Sequence, residues 1–243
     1  MPDTKEVKER IRNKIWRAME ESGIARFPKP VAGRIPNFHG AETACYSASR
    51  LAEFVLAHTI KINPDTPQTH ARYIALKMGK RVIMPTPKLR EGFLLIDPSR
   101  IPGDRLREAS TIRGSFIYGS KISVHKIPRV DLVLVGSVAV NRHGARVGKG
   151  GGYADLEYGI LRELGLVRDS TPVITVVHDI QVIDDEIPME PHDLPVDLIV
   201  TPTRIIKADK RFEKPRGIYW EEVSGDMMKS IPILREIRGL SKR

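Results

Sequence analysis

"DLVLVGSVAV", residues 131–140, is a nearly continuous apolar run, mostly β-branched, and "ARVGKGGGYADLEYG", residues 145–159, follows it almost at once. A strand with one wet face alternates polar and apolar side chains; a run without alternation reads as a strand covered on both faces. The second stretch is bare and positive before it turns helical. Gly144, Gly148, Gly150, Gly151 and Gly152 lie among Arg146 and Lys149, and a helix is expected from about Tyr153 to Leu164. A buried strand, a glycine loop and a helix in succession are the local grammar of a parallel α/β sheet.

Working outward, short apolar runs alternate with helical stretches. "TIKINP" (59–64), "RVIMPTP" (81–87), "GFLLID" (92–97), "PVITVVHD" (172–179) and "VDLIVTPT" (196–203) read as strands. Residues 67–78 read as a helix, and another starts near Gly103. The fold expected is three-layer α/β/α with a mainly parallel sheet, right-handed crossovers and ligands beyond the carboxyl ends of the strands. Upstream, Asp3 can cap a first helix, Glu6 can complete a capping box and Gly23 can close it; Val7, Ile11, Ile15 and Ala18 form its apolar stripe. "ARFPKPVAGRIPNFHGA" (25–41) holds three prolines and two glycines and reads as an ordered arm or loop. Residues 41–56 read as one helix with Ala44, Leu51, Phe54 and Val55 inward, and the basic tail "LREIRGLSKR" (234–243) as a solvated helix end.

A length of 243 residues with 41% hydrophobic content suits one domain over 1–243, with an N-terminal helix and arm (1–40) and a basic C-terminal helix and tail (220–243). One cysteine, Cys45, excludes an internal disulfide framework and a thiolate zinc cluster, and suits a reducing cytoplasm. The charged start "MPDTKEVKERIR" and the lack of an eighteen-residue apolar run argue against a signal peptide or a membrane span. A formal net charge of +10 attracts anions such as nucleotides, acidic metabolites or nucleic acid, although a heat-adapted protein would carry similar charge.

Backbone amides left free by glycine at a helix start, with the helix dipole behind them, form a cradle for phosphate; Arg146 and Lys149 add charge-assisted donors. Neither common phosphate motif fits. G-x-G-x-x-G begun at Gly148 ends on Tyr153 and begun at Gly150 ends on Asp155, while "GARVGKG" has three residues, not four, before Gly-Lys.

"HGARVGKGGGYAD" (143–155) resembles instead the signature R-x-G-x-G-x-G-Y-Y-D of the 5-formyltetrahydrofolate cyclo-ligase (methenyltetrahydrofolate synthetase) family. "PMEPHDLPVDLIVTPTRII" (188–206) resembles that family's second block, and "KERIRNKIW" (8–16) its N-terminal element. "RIPNF", "TIKINPD", "GYADLEY" and "VHDIQV" are similar more particularly to the synthetase-like domain of the methenyltetrahydrofolate synthetase domain-containing proteins. The resemblance implies the layered fold shared with sugar-phosphate isomerases and CoA-transferases. It also implies ATP and Mg2+ as cofactors and closure of 5-formyltetrahydrofolate, or another formylated pterin, to the 5,10-methenyl form. Carried over residue by residue, it implies an ATP site at Lys8, Arg12, Arg146, Gly148, Lys149, Gly150, Gly151 and Gly152. Lys149 would neutralise the transferring phosphoryl group and Tyr153 would touch the substrate. Asp155 and Asp193 would hold magnesium, with Asp197 a weaker alternative, although on their own each reads equally as a cap or loop aspartate.

His178 and His192 each precede an aspartate, yet no third and fourth zinc ligands stand at metal spacing. Two departures fall on the substrate side. Ala154 stands where the family has a second tyrosine, and in "NPDTPQT" (63–69) Asp65 is the acid nearest to the family's substrate-binding glutamate. The altered pocket and the charge motivate a rival class, a non-catalytic nucleotide- or RNA-binding regulator. With only 6% aromatic residues there are few stacking platforms for RNA, so nucleic acid is not favoured as a partner.

Overall fold

The computed structural model describes residues 3–240. An eight-stranded sheet forms the middle layer. Its strands are β3 (Thr59–Ile62), β4 (Arg81–Pro85), β5 (Phe93–Ile96), β6 (Ser120–Ile122), β7 (Leu132–Val135), β10 (Val173–Val176), β11 (Leu198–Val200) and β12 (Ile205–Lys207). Two short hairpins stand outside it: β1 (Ala25–Arg26) with β2 (Asn37–Phe38), and β8 (Ala139–Val140) with β9 (Arg146–Val147). The sheet order is β12-β11-β10-β7-β3-β4-β5-β6, and the five strands from β11 to β4 run parallel. β12 and the pair β5–β6 are antiparallel edges, so "GFLLID" runs against the parallel core.

Alternate side chains of these strands enter two cores. Ile60, Ile62, Leu132, Leu134, Ile174 and Val176 face one layer of helices: α1 (Thr4–Glu21), α2 (Ala41–Ser49), α3 (Ala52–Leu56), α4 (Thr69–Lys77), α5 (Leu106–Ala109) and α6 (Ile112–Tyr118). Ile83, Val133, Val135, Val173 and Ile199 face the other layer: α7 (Tyr153–Glu163), α8 (Gly225–Ser230) and α9 (Pro232–Leu240). Cover on both faces is why the strands read as unbroken apolar runs.

Several expectations are corrected. The 131–140 run is two strands, because the chain leaves the sheet at Gly136, where a Cβ would lie 2.9 Å from Asp65 Oδ2 and 3.0 Å from Ile35. Residues 41–56 break at Arg50–Leu51, where Leu51 is extended; the new helix has a different phase, which buries Phe54 and leaves Val55 exposed. Asp3 caps α1 through the amide of Lys5, one residue short of the capping-box position. The tail is not merely solvated: Ile233, Leu234 and Ile237 of α9 are buried in the second core, and residues 241–243 lie outside the described residues. Among the described residues no helix is long and apolar enough to cross a membrane.

Candidate functional site

Strand order reverses between β3 and β7, since the chain steps from β3 toward β6 and then returns to build the β7-to-β12 side. At such a switch point the crevice beyond the carboxyl ends of the strands is open to a ligand. Residues 63–66 after β3 and Gly136 after β7 line it, and the glycine loop stands above it.

Local backbone chemistry shapes that loop. Gly150 has φ +102° and Gly152, the N-cap of α7, has φ +66°, a region that side chains disfavour. A Cβ on Gly151 would lie 2.9 Å from the Tyr153 ring. The amides of Lys149, Gly150, Gly151 and Gly152 donate to no partner among the described residues, and the first turn of α7 adds the unpaired amides every helix start carries. Positive dipole and free N–H groups therefore converge at one edge.

The loop divides two clefts. On its outer side a cavity of about 480 Å³ is lined by Lys8 and Arg12 of α1, Arg146, Gly148, Gly150, Asp155, Glu190, His192 and Asp193. Arg12 Nε donates to the carbonyl of Gly148 at 2.8 Å, so the first helix grips the loop directly. Lys8, 93% removed from solvent although on a helix surface, pairs with Asp193 and lies 3.6 Å from Glu190. Buried Arg146 pairs with Asp155, whose Oδ1 also accepts from the amide of Leu194 at 3.0 Å. Every predicted anion-binding cation except Lys149 thus lies on this cleft, already facing a carboxylate or a carbonyl.

On the inner side a cavity of about 460 Å³ runs beneath the proline-rich arm. Pro28, Arg34 and Ile35 of the arm, Thr86 and Lys88 after β4, Ile112 of α6, Lys149, Tyr153 and Glu157 line it. Lys149 enters here rather than the outer cleft and stands 3.3 Å from Asp65 Oδ1. Buried Arg72 holds the loop after β3 through the carbonyls of Asn63 and Asp65 and through Thr69 Oγ1. Burial lowers its pKa to about 10, with Asp65 opposing, so it stays cationic at neutral pH.

Asp155 and Asp193 line the same outer cleft. Sequence reading missed Glu190, which with His192 and Asp193 forms a group whose ligand atoms lie within 4.8 Å of one another; the run "MEPHD" was its only signal. Asp155 is outside that group. Asp197, the weaker ligand candidate, pairs instead with Lys214 at 2.6 Å at another surface. His178 caps the 179–181 turn through the amide of Ile180, and burial lowers its pKa. His192 packs edge-on against Tyr219 and lies 3.7 Å from Glu190. Also missed were Ile112, Arg34 and Glu157, which come from distant segments.

The profile of the 5-formyltetrahydrofolate cyclo-ligase family matches residues 4–202. The methenyltetrahydrofolate synthase domain-containing protein of Bos taurus is 46% identical over 234 residues, which is 95% of this chain and 62% of that protein. Its counterpart in Homo sapiens is 44% identical, over 95% of this chain and 61% of its own length. The chain therefore spans less than two thirds of the length of these relatives. A 5-formyltetrahydrofolate cyclo-ligase of Mycolicibacterium smegmatis is 31% identical over 137 residues, 55% of this chain and 66% of that one. The NMR structure of Aquifex aeolicus 5,10-methenyltetrahydrofolate synthetase superposes with a TM-score of 0.53 at 20% identity, over 85% of this chain and 95% of that one, and so shares the fold. The family match runs from the first helix through the last parallel strand and takes in the whole partition between the two clefts; the chain belongs to the 5-formyltetrahydrofolate cyclo-ligase family.

Proposed function

We propose that the chain closes 5-formyltetrahydrofolate, or a related formylated pterin, to the 5,10-methenyl form with ATP as the phosphoryl donor. The observation that carries this reading is the partition. A cleft lined by both cations and carboxylates and a mixed apolar-polar cavity share one wall, the glycine loop, whose free amides lie between them.

In this reading Lys8, Arg12 and the loop amides hold the polyphosphate in the outer cleft, and the pterin lies beneath the arm. The formyl oxygen attacks the γ-phosphorus and the bond to the bridging oxygen breaks, releasing ADP. The neighbouring folate nitrogen then attacks the activated formyl carbon, loses its proton, and phosphate departs with the former formyl oxygen. The protein's part is to position the two reactants and to stabilise charge. Lys149, at the partition, neutralises charge developing on the transferring group. Tyr153, whose hydroxyl bonds to no described residue, is free to touch the substrate.

The donors suit a hard divalent cation: Asp155 Oδ2 and Asp193 Oδ1 accept no hydrogen bond from the described residues, and both carboxylates line the outer cleft. Asp155 and Asp193 would hold magnesium, which supplies charge neutralisation on the phosphates. Lys8 then exchanges Asp193 for a phosphate.

Purified protein given Mg-ATP and 5-formyltetrahydrofolate should form methenyl product, read by absorbance, with stoichiometric phosphate. Lys149→Ala should lower kcat/KM by about 100-fold or more. Absence of product, or full turnover by the variant, would overturn the assignment.

A further inference from the structure

Below the glycine loop the floor of the inner cavity is ionic. Lys61, wholly buried on β3, donates to Glu157 Oε2 at 2.6 Å and to Asn63 Oδ1 at 2.7 Å. Asn63 Nδ2 donates to the same Glu157 oxygen at 3.0 Å. Asn63 and Glu157 line the cavity, and Glu157 arrives from the second turn of α7. Both lone-pair positions of Oε2 are thereby filled. Oε1 accepts nothing from the described residues, and it is not among the buried polar atoms sealed from solvent without a partner. It therefore faces the cavity as a free acceptor.

A buried ion pair is weak evidence of a stabilising role, because desolvating two charges offsets most of their attraction. Burial pushes the Glu157 carboxyl above the usual carboxylate range, and the Lys61 ammonium opposes that rise. Two N–H donors converging on Oε2 favour the ionised form. What the arrangement supplies is an oxygen held rigidly at the bottom of a ligand cavity, with its partners fixed on the sheet.

We propose that Glu157 is a specificity-determining residue whose Oε1 accepts an N–H of the substrate's heterocycle, the exocyclic amino group of a 2-aminopyrimidinone ring. Lys61 and Asn63 are positioning residues that act through it. The inference rests on the inner cavity being the pterin site, and it adds the edge of the ring that is read there. A carboxylate acceptor left facing a methyl group loses a charge-assisted hydrogen bond and stays desolvated, so the site rejects a ring without that donor.

Calorimetric binding of 5-formyltetrahydrofolate and of its 2-desamino-2-methyl counterpart tests this, first with the native chain and then with E157Q and K61M/E157L. The double variant avoids a lone buried ammonium, and melting curves verify that each variant folds. The native chain should favour the amino compound by about 10- to 100-fold, and the variants should discriminate by less than about threefold. Equal binding of both compounds by the native chain, or a preference retained in a folded variant, overturns the role of Glu157 and leaves the cavity assignment standing. Binding of neither compound by the native chain overturns the cavity assignment and this inference with it. Should both variants fail to fold, equal binding of the two compounds by the native chain still overturns the role of Glu157.

Discussion

Gln68 is wholly buried, and neither end of its amide has a partner among the described residues. It follows the loop that Arg72 secures, so its place is set by the loop rather than by its own bonding. An amide desolvated without hydrogen bonds costs about 1–3 kcal/mol, and Leu has a similar volume. Gln68→Leu should therefore raise stability by about 1–2 kcal/mol in urea unfolding; a loss of similar size would show that water or a bound ligand satisfies the amide. Cys45 on α2 donates its thiol to the carbonyl of neighbouring Pro67 at 3.3 Å. Burial pushes its pKa up to about 12, against the lowering effect of the Ala71 backbone and of Arg72. A thiol raised in this way stays neutral below its folded pKa, and its contribution to stability is lost as pH rises toward that value. At pH 8 the native protein should resist iodoacetamide and react only after unfolding; rapid native alkylation would contradict this burial. From the sequence, Cys45 was readable only as reduced. Its inertness comes from α2 packing over the 63–68 loop.

Among elements, α7 was legible almost to the residue, because glycines before it and an amphipathic pattern within it are local signals. Its fit is not local. A Cβ at Gly159 would lie 2.7 Å from the carbonyl oxygen of Gly217, a backbone atom that cannot swing aside. Gly159→Ala gains up to about 1 kcal/mol of helix propensity, but the overpacking costs about 1–3 kcal/mol. We expect a net fall in melting temperature; a rise would mean that the 213–219 segment yields freely. The break between α2 and α3 shows the reverse limit. Apolar spacing continued through Leu51, and it was the turn at Arg50–Leu51 that rotated Val55 out to solvent. The proline-rich stretch read as an ordered arm or loop, and only the fold shows that it buries Val31 and Ile35 and roofs a cavity.

At the scale of the whole molecule, the site exists because one sheet reverses its strand order between β3 and β7, with α1 and the arm closing the opening from outside. Nucleotide bound there, as proposed, would touch only the folded chain and so stabilise it. At a free Mg-ATP concentration about 100-fold above Kd the gain is about 2.7 kcal/mol, or roughly 5–10 °C for a chain of this size. Scanning fluorimetry should show this shift, smaller for Lys149→Ala and in high salt; no shift at saturating nucleotide would remove the outer cleft as an ATP site. Sequence alone determined the layered α/β architecture, the glycine loop at the end of a central strand and the cations beside it, since periodicity, glycine and charge act within a few residues of chain. Only the tertiary structure decided that Lys149 lines the inner cavity, that Lys8 and Arg146 already pair with the two aspartates, and that Lys61, Asn63 and Glu157 meet beneath the loop. Arg146 and Asp155 stand 9 residues apart, but Lys8 and Asp193 are separated by 185 residues, Lys61 and Glu157 by 96, and Lys149 and Asp65 by 84, so tertiary packing and not a local pattern brings these together.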